Sequence, residues 1–463
     1  MSTIDRRTAI EGADQGPAGF TGPLLQPGDD GYDEAREVYN AMFDRRPALI
    51  AQCRNTGDVA AAVRFARDHD LLVAVRGGGH SVAGFSVCDG GIVIDLSLMK
   101  HIDVDPDART VRAQPGVLLG ELDAATQQHG LATPLGFVSP TGIAGLTLNG
   151  GIGFQARKHG LSCDNLIAAE VVLADGTVVR ASDTENPDLM WGLRGGGGNF
   201  GIVTNFEYRL HEVADIYVEM RFYGLDQLGD LLVGFGAVAP SLPDPVTAYA
   251  GTMVVPENEM FPQELQGRLM GVMLLGYLGN ESDATVALEP LSVTPEPILA
   301  VGMMMPFVDA QMMQDEDMPS GRQNYWKAGN IDEIGAGAIA VFVEHAVTAT
   351  SPHCQPGILL LGGAVARVGE TETAYCGRDA GFNFSIDNIW DDAAENEAQI
   401  AWSRRFYDAM TPFLSTSMYL NFASEETPDR VRQSYGPNYE RLLALKRTYD
   451  PTNLFHMNQN IQP

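Results

Sequence analysis

Residues 76–84 read Arg-Gly-Gly-Gly-His-Ser-Val-Ala-Gly, with the histidine at position 80. An apolar run at 71–75 precedes this stretch and a second one at 92–96 follows it, which predicts two strands joined by a glycine-rich loop. Apolar residues at helical spacing occupy 58–68, and a short strand pattern occupies 46–51. The order of these patterns predicts a βαβ unit whose second strand ends in the glycine loop.

Two further glycine loops lie downstream, at residues 142–153 and 195–201. Glycine lets backbone N–H groups approach an anion closely, so such loops suit phosphates. The chain has no GxGxxG between a first strand and a helix, and no GxxxxGK[ST]. Any one loop could be a tight turn, but three together, each with a serine or asparagine, indicate a long cofactor that lies across several loops.

The glycine loops and the chain's end resemble one known family. The loop at 76–84 and the segment after it resemble the flavin-attachment segment of the berberine bridge enzyme-like family, a branch of the vanillyl-alcohol oxidase superfamily. Four further stretches agree in order, at 140–153, 157–165, 188–201 and 449–460. Residues 212–415 match only loosely.

The resemblance implies an α+β fold. A PCMH-type FAD-binding domain of two subdomains is expected at 1–211, and a C-terminal segment at 416–463 is expected to return to it. A substrate-binding domain of antiparallel sheet and helices is expected at 212–415, inserted between them. The sequence changes at the same place, because glycine clusters thin out after residue 211 and long strand-like runs begin.

The resemblance also implies an FAD joined by one covalent bond from His80 to the flavin 8α-methyl carbon. An imidazole nitrogen can act as a nucleophile. Many relatives carry a second, cysteinyl link, but the matching position here is Val138, so no second link is expected. Cys163 is interpreted as a small buried residue. Since the five cysteines form no CxxC pair, no metal site is expected.

Further residues are expected to hold the cofactor, from the pyrophosphate to the ring. They are Arg76, Gly77, Gly78, Gly79, Ser81, Gly84, Pro140, Thr141, Gly142, Ile143, Gly145, Gly150, Gly151, Gly153, Asn165, Val203, Asn458 and Asn460. Ile143 matches a position that influences oxygen access in the family. Valine there is typical of oxidases and leucine of enzymes that react poorly with oxygen, so isoleucine leaves the choice open, with an oxidase that uses molecular oxygen favoured.

A flavin accepts a hydride from a C–H bond next to oxygen or nitrogen while a base takes a proton. Tyr419 is one candidate base, in a predicted strand that resembles the family's Tyr-x-Asn-Tyr segment but ends in Phe422. Tyr325 with Lys327 is the second, because a nearby cation lowers a tyrosine pKa. Each of these side chains could instead be packing or surface residues.

The function prediction is an FAD-dependent oxidoreductase, with an oxidase preferred to a dehydrogenase that uses another acceptor. Its substrate would be a small alcohol, sugar or aromatic secondary metabolite. Two other classes stay open. NADPH-using reductases of cell-wall precursor synthesis share the FAD domain but do not tether flavin by histidine, and a non-catalytic flavin-binding protein would bind the cofactor without reaction.

The net charge of the chain limits the classes of partner that it can bind. The chain has 60 acidic and 30 basic residues, which gives a net charge of −30, and only four of the basic residues are lysines. Such a surface repels nucleic acid and anionic membranes, and the shortage of lysine favours adaptation to high salt over an ordinary acidic enzyme. No signal-peptide pattern and no 18-residue apolar run occur, so a cytoplasmic protein is expected. The oligomeric state is left open.

Overall fold

The computed structural model describes residues 16–424 and 426–463 of the chain. The N-terminal sheet and its helices consist of β1 (Leu24–Leu25), α1 (Tyr32–Arg36), β2 (Leu49–Gln52), α2 (Thr56–Asp68), β3 (Val73–Arg76) and β4 (Ile92–Asp95). The strand order is β1-β2-β4-β3, with β4 parallel to both β2 and β3. The side chain of Asn55 accepts a hydrogen bond from the Asp58 N–H, so Asn55 caps α2.

The second sheet is antiparallel and has five strands. It and its surroundings contain β5 (Ile102–Asp105), β6 (Thr110–Ala113), α3 (Leu119–Gln127), β7 (Leu131–Ala132), α4 (Ile143–Leu148), α5 (Ala156–His159), β8 (Leu166–Val172), β9 (Val178–Ser182), α6 (Pro187–Leu193), β10 (Ile202–Arg209) and β11 (His211–Glu212). The order is β5-β6-β10-β8-β9, and β7 pairs separately with β11. A large apolar core joins this sheet to α3, α6 and the chain's C-terminal helices.

A seven-stranded antiparallel sheet makes up the rest of the fold. Its elements are β12 (Ile216–Tyr223), α7 (Leu228–Val238), β13 (Val246–Val254), β14 (Leu269–Tyr277), α8 (Glu281–Leu288), β15 (Leu299–Met305), α9 (Phe307–Gln311), β16 (Gln323–Ile331), α10 (Ala336–Ala346), β17 (Gln355–Leu360), α11 (Ala364–Arg367), β18 (Phe382–Trp390) and α12 (Asn396–Met410). The order is β15-β12-β14-β13-β17-β18-β16. Helices α7, α10 and α12 cover one face with a shared apolar core.

The chain then returns to the N-terminal sheets through α13 (Pro428–Ser434) and α14 (Tyr439–Tyr449). The Lys446 ammonium is fully buried, bonds Asp450 at 2.8 Å and donates to the carbonyl oxygens of Asn199 and Phe455. Asp450 in turn accepts from the N–H groups of Leu454 and Phe455. This buried ion pair fixes the final residues against the third glycine loop.

The predicted α+β class is confirmed. All strands of the seven-stranded sheet lie inside the segment predicted as 212–415, while the boundaries at 211 and 415 stay predictions. The first 15 residues of the predicted 1–211 domain lie outside the described residues. Within the part of the chain that is described, no helix is long and apolar enough to cross a membrane.

Candidate active site

A cavity of about 700 Å³ lies between the glycine loops and the open face of the seven-stranded sheet. Its first wall consists of residues from the loops at 77–86, 136–154 and 198–203 and from the tail at 455–459. Its second wall consists of strand residues of the large sheet and the segment 312–318. This volume is typical of sites that enclose a small molecule or cofactor.

His80 lines this cavity in the first glycine loop. Its Nε2 atom is buried and has no hydrogen-bond partner. Burial lowers the pKa of the imidazole to about 4, so the ring is neutral at pH 7. A neutral, unpaired ring nitrogen at a cavity wall has the lone pair that a nucleophile requires.

The glycine loops form a tight cradle beside His80. A Cβ on Gly78 would lie 2.5 Å from the Gly142 backbone N, so neither loop tolerates a side chain where the two loops meet. Other predicted cofactor residues also line the cavity: Gly77, Gly79, Ser81, Thr141, Gly145, Val203 and Asn458. The Asn458 Oδ1 atom is buried without a partner. Bare backbone on several loops, unpaired polar atoms and a cavity that spans all three glycine loops fit FAD.

Three glycines at the end of the second loop are closely packed against neighbouring residues and do not face the cavity. Gly150, Gly151 and Gly153 are absent from the cavity wall. A Cβ would lie 2.8 Å from the Tyr375 ring at Gly150, 2.0 Å from Ser162 Oγ at Gly151 and 2.0 Å from the Leu135 carbonyl oxygen at Gly153. These residues therefore allow the loop to pack closely, and the prediction that they contact the cofactor stays a prediction.

Asn165 and Gly84 are also structural. The Asn165 side chain donates to the carbonyl oxygens of His159 and Leu161 and lies 2.7 Å from His211 Nε2. Gly84 has a positive φ of 68°, and a Cβ there would lie 2.3 Å from the Phe43 ring. Neither residue lines the cavity, so the prediction of direct cofactor contact is not supported for them.

Four more predicted contacts lie off the cavity wall: Arg76, Pro140, Ile143 and Asn460. Pro140 is exposed, and the Arg76 guanidinium bonds the Ala35 carbonyl oxygen. Ile143 begins α4 with its side chain in the domain core, while Ala144 faces the cavity. The Ile143 side chain does not line the cavity, so this geometry gives no support to the expectation that it influences oxygen access, which stays a prediction.

Val138 lies in the cavity wall, in an apolar cluster with Tyr39, Val82 and Trp326. Cys163 is fully buried beneath the wall, and burial raises the pKa of its thiol far above the usual value. None of the described cavity-lining residues is a cysteine.

Tyr419 lines the cavity and is buried. It precedes a short 3-10 helix, Leu420–Phe422, so the predicted strand at this point is wrong. Its hydroxyl oxygen accepts hydrogen bonds from the N–H groups of Gly151 and Ile152, at 3.2 and 3.1 Å, and from Asn421 Nδ2 at 2.9 Å. Burial outweighs these donors and raises the pKa of Tyr419 to about 12.

Tyr325 and Lys327 are not at the site. They lie on the face of β16 that packs against α12 and the chain after it, where Arg404 Nε donates to the Tyr325 hydroxyl and Lys327 pairs with Glu426 at 2.6 Å. Trp326, between them, faces the cavity instead. Because successive residues of a strand point to opposite faces, the predicted Tyr–Lys base pair cannot reach the substrate space.

Asp387 is a candidate site residue that the sequence analysis missed. It lies on β18 with its side chain in the cavity wall, its Oδ1 atom is buried without a partner, and Ser385 Oγ lies 3.4 Å from Oδ2. Burial raises the pKa of Asp387 to about 7. A signal was present, because Asp387 and Ser385 alternate with Phe384 and Ile386 of the apolar core.

Most described residues of the cavity wall are apolar, and none of them carries a positive charge at pH 7, where His80 is neutral. Among its described residues none is Lys or Arg, whereas Asp315, Glu316, Asp317 and Asp387 are acidic. The Asp315 carboxylate is already engaged by the backbone N–H and hydroxyl of Ser139. On the side of the large sheet these carboxyl groups therefore disfavour an anionic substrate, and Asp387 is a buried carboxyl there with a free oxygen.

Two family models match the chain. The first, described as an FAD binding domain, covers residues 47–182, and the second, described as berberine and berberine like, covers residues 418–462. The first model includes His80 and the second glycine loop, and the second includes Tyr419 and the tail asparagines.

The sequence is also similar to that of known oxidases. It is 32% identical to the (R)-6-hydroxynicotine oxidase of Paenarthrobacter nicotinovorans, over 96% of this chain and 98% of that protein. It is 28% identical to the chitooligosaccharide oxidase of Gibberella zeae, over 95% and 92%. The crystal structure of 6-hydroxy-D-nicotine oxidase from Arthrobacter nicotinovorans superimposes with a TM-score of 0.86 at 30% identity, covering 97% of this chain and 99% of that one.

Proposed function

This chain belongs to the berberine bridge enzyme-like family of FAD-linked oxidoreductases, and we propose that it oxidises a small organic molecule on an FAD bonded covalently to His80 alone. The observation that carries the proposal is the buried, unpaired imidazole nitrogen in the cavity wall. The absence of a cysteine from the described wall residues favours a single link. The Gly78–Gly142 cradle, Ser81 and Asn458 would hold the rest of the cofactor.

Bound FAD supplies the acceptor for the hydride that leaves the substrate C–H bond. Asp387 is proposed as the base that takes the accompanying proton from a hydroxyl or amine. A base works best when its pKa lies near the working pH, and the pKa of Asp387 is about 7 whereas that of Tyr419 is about 12. Tyr419 stays the second candidate, because three donors on its oxygen would stabilise a phenolate.

The cavity wall favours a neutral or cationic substrate with an apolar body. Seven methionines line it, namely Met220, Met253, Met260, Met312, Met313, Met318 and Met457, with the aromatic rings of Tyr249, Phe261 and Trp326. Methionine and aromatic side chains bind apolar and aromatic groups well. This composition suits an aromatic alcohol or amine better than an oligosaccharide, although a relative that is named as a sugar oxidase shares the fold.

Molecular oxygen is the proposed acceptor that reoxidises the cofactor, as the oxidase names of the relatives suggest. A dehydrogenase that passes electrons to another acceptor is the alternative. A non-catalytic flavin-binding protein is the less favoured one, because Asp387 has a free oxygen in the ligand space.

The test is an anaerobic titration of the purified holoprotein with benzyl alcohol, benzylamine, glucose, chitobiose and 4-(hydroxymethyl)benzoate, with flavin absorbance as the readout. The last compound is an anionic analogue of benzyl alcohol that keeps the oxidisable C–H bond. We expect bleaching by a neutral or cationic aromatic compound and none by 4-(hydroxymethyl)benzoate. Air admitted afterwards should restore the colour with one hydrogen peroxide per turnover. Bleaching by 4-(hydroxymethyl)benzoate or by the sugars alone would contradict the proposed substrate class, and slow recolouring in air would favour the dehydrogenase.

A further inference from the structure

Tyr39 lies directly against His80. The two rings stack with their centroids 3.7 Å apart and an angle of 17° between their planes. Tyr39 is buried, and its hydroxyl oxygen has no hydrogen-bond partner. Burying a hydroxyl without a hydrogen-bond partner costs free energy. The Tyr39 hydroxyl therefore does not hold the ring in this position.

The backbone holds Tyr39 in this position. Its N–H donates to the carbonyl oxygen of Gly79 at 3.0 Å, and its own carbonyl oxygen accepts from the Gly321 N–H at 3.1 Å. Tyr39 is thereby tied to the residue before His80 on one side and to the segment that leads into β16 on the other. Its ring also meets Trp326 edge-on, with centroids 6.4 Å apart.

Asn40 extends this attachment to the other side of His80. Its side-chain N–H group donates to the carbonyl oxygens of Val82 and Asn324, both at 2.8 Å, and its Oδ1 accepts from the Asn324 N–H at 3.0 Å. Asn40 is fully buried. Residues 39–40 therefore hold the His80 loop on both sides and join it to the large sheet.

We propose that Tyr39 is a positioning residue for cofactor attachment, which holds the His80 imidazole in the one orientation that bonds to the flavin. This inference rests on the proposed covalent link. Forming that link joins an imidazole nitrogen to the 8α carbon and breaks one methyl C–H bond and the imidazole N–H bond. The two electrons and two protons reduce the flavin, and molecular oxygen reoxidises it to give hydrogen peroxide.

Stacking fixes the plane of the imidazole and covers one of its faces, so the ring cannot turn away from the cavity. Without the stack the ring is free to take other rotamers, and a reaction that depends on near-attack geometry slows steeply. The Tyr39 hydroxyl plays no part in this account. The Tyr39→Phe variant should therefore behave like the wild type, while Tyr39→Leu should not.

Wild type and variants are expressed without riboflavin, so that they contain no flavin, and are then mixed with FAD in air. Covalent attachment is followed by intact-protein mass and by the colour of acid-precipitated protein. We expect attachment about tenfold slower in Tyr39→Leu and unchanged in Tyr39→Phe. Tyr32→Leu is the matched control, because Tyr32 is also a buried tyrosine of the same segment but bonds the Pro47 carbonyl oxygen and not His80. It should lose stability and keep the wild-type attachment rate.

The outcomes separate the two proposals. If the wild type never gains the mass of FAD, the covalent link itself is wrong. If the wild type gains it and Tyr39→Leu attaches FAD equally fast, the positioning role of Tyr39 is wrong. Non-covalent FAD binding, measured by quenching of flavin fluorescence, shows that a slow variant is folded, and Tyr39→Met replaces Tyr39→Leu if the latter does not fold.

Discussion

Replacing Asp387 by Asn should make the enzyme slower and the fold more stable. The Asn side chain keeps the size of the carboxyl group but can neither accept the substrate proton nor carry charge. Loss of a general base costs about 10²–10⁴-fold, so we expect flavin reduction to slow at least about a hundredfold. Rapid-mixing absorbance under anaerobic conditions measures this rate directly.

The pH dependence follows from the pKa of Asp387, which burial raises to about 7. About a tenth of the carboxyl groups are ionised at pH 6 and about nine tenths at pH 8, so the wild-type rate should rise about tenfold across this interval and level off above it. The residual rate of Asp387→Asn should lack this rise. An unchanged rate, or the same rise in the variant, would refute the base assignment.

The Asp387→Asn variant should gain stability, although it loses rate. The pKa of Asp387 moves from its ordinary 3.8 to about 7, which corresponds to about 4 kcal/mol at most. Because the folded protein holds the proton more tightly, stability falls as pH rises from about 4 to about 7 and stays low above that. Asp387→Asn removes this penalty and should unfold at higher denaturant concentration at pH 8, with no gain at pH 4.

Asp123 provides a matched control for this experiment. It is fully buried, its pKa is raised by burial to about 7, and it bonds Gln311 Nε2 away from the cavity wall. The Asp123→Asn variant should therefore show a similar pH-dependent gain in stability with an unchanged rate of flavin reduction. A stability loss in both variants at pH 8 would show that the burial penalty is wrong.

Three other changes have defined outcomes. Tyr419→Phe leaves the N–H groups of Gly151 and Ile152 without their acceptor, so we expect the free energy of unfolding, measured with denaturant, to fall by about 1–3 kcal/mol. The rate of flavin reduction should fall less than in Asp387→Asn. A larger loss of rate would assign the base to Tyr419. Lys446→Ala leaves the buried Asp450 carboxylate unpaired and should lower the free energy of unfolding by about 3–5 kcal/mol. Lys100→Ala breaks an exposed ion pair and should lower it by less than about 1 kcal/mol. Equal losses in the two variants would contradict the argument from burial. Raising KCl to molar concentration should raise Tm, since the net charge is −30, and a falling Tm would contradict adaptation to high salt.

The parts of the fold that the sequence predicts well are those decided by local patterns. The run at 71–75 and the helical spacing at 58–68 correspond to β3 and α2, because burial against one sheet requires those periodicities. Tyr419 shows the limit of such patterns. Its segment has strand-like composition, yet it forms a loop and a 3-10 helix, and its hydroxyl bonds distant backbone N–H groups that no local pattern reveals.

Site residues could be predicted from the sequence where a motif fixes the backbone. They could not be predicted where the answer depends on which face of a helix or strand the side chain lies on. His80 lies in a glycine loop, so its position in the cavity wall follows from the loop itself. Ile143 and Tyr325 have plausible positions along the chain, but neither side chain lines the cavity. Asp387 escaped notice because a strand with alternating polar residues resembles a solvent-facing one when the enclosed cavity is unknown.

The central claim is the single covalent bond between His80 and the flavin, and acid precipitation of the purified protein followed by intact-protein mass measurement tests it most directly. We predict a yellow precipitate whose mass exceeds that of the polypeptide by one FAD, and a His80→Ala variant that releases all its colour into the supernatant. A colourless wild-type precipitate, or a His80→Ala protein that still carries the added mass, would contradict it.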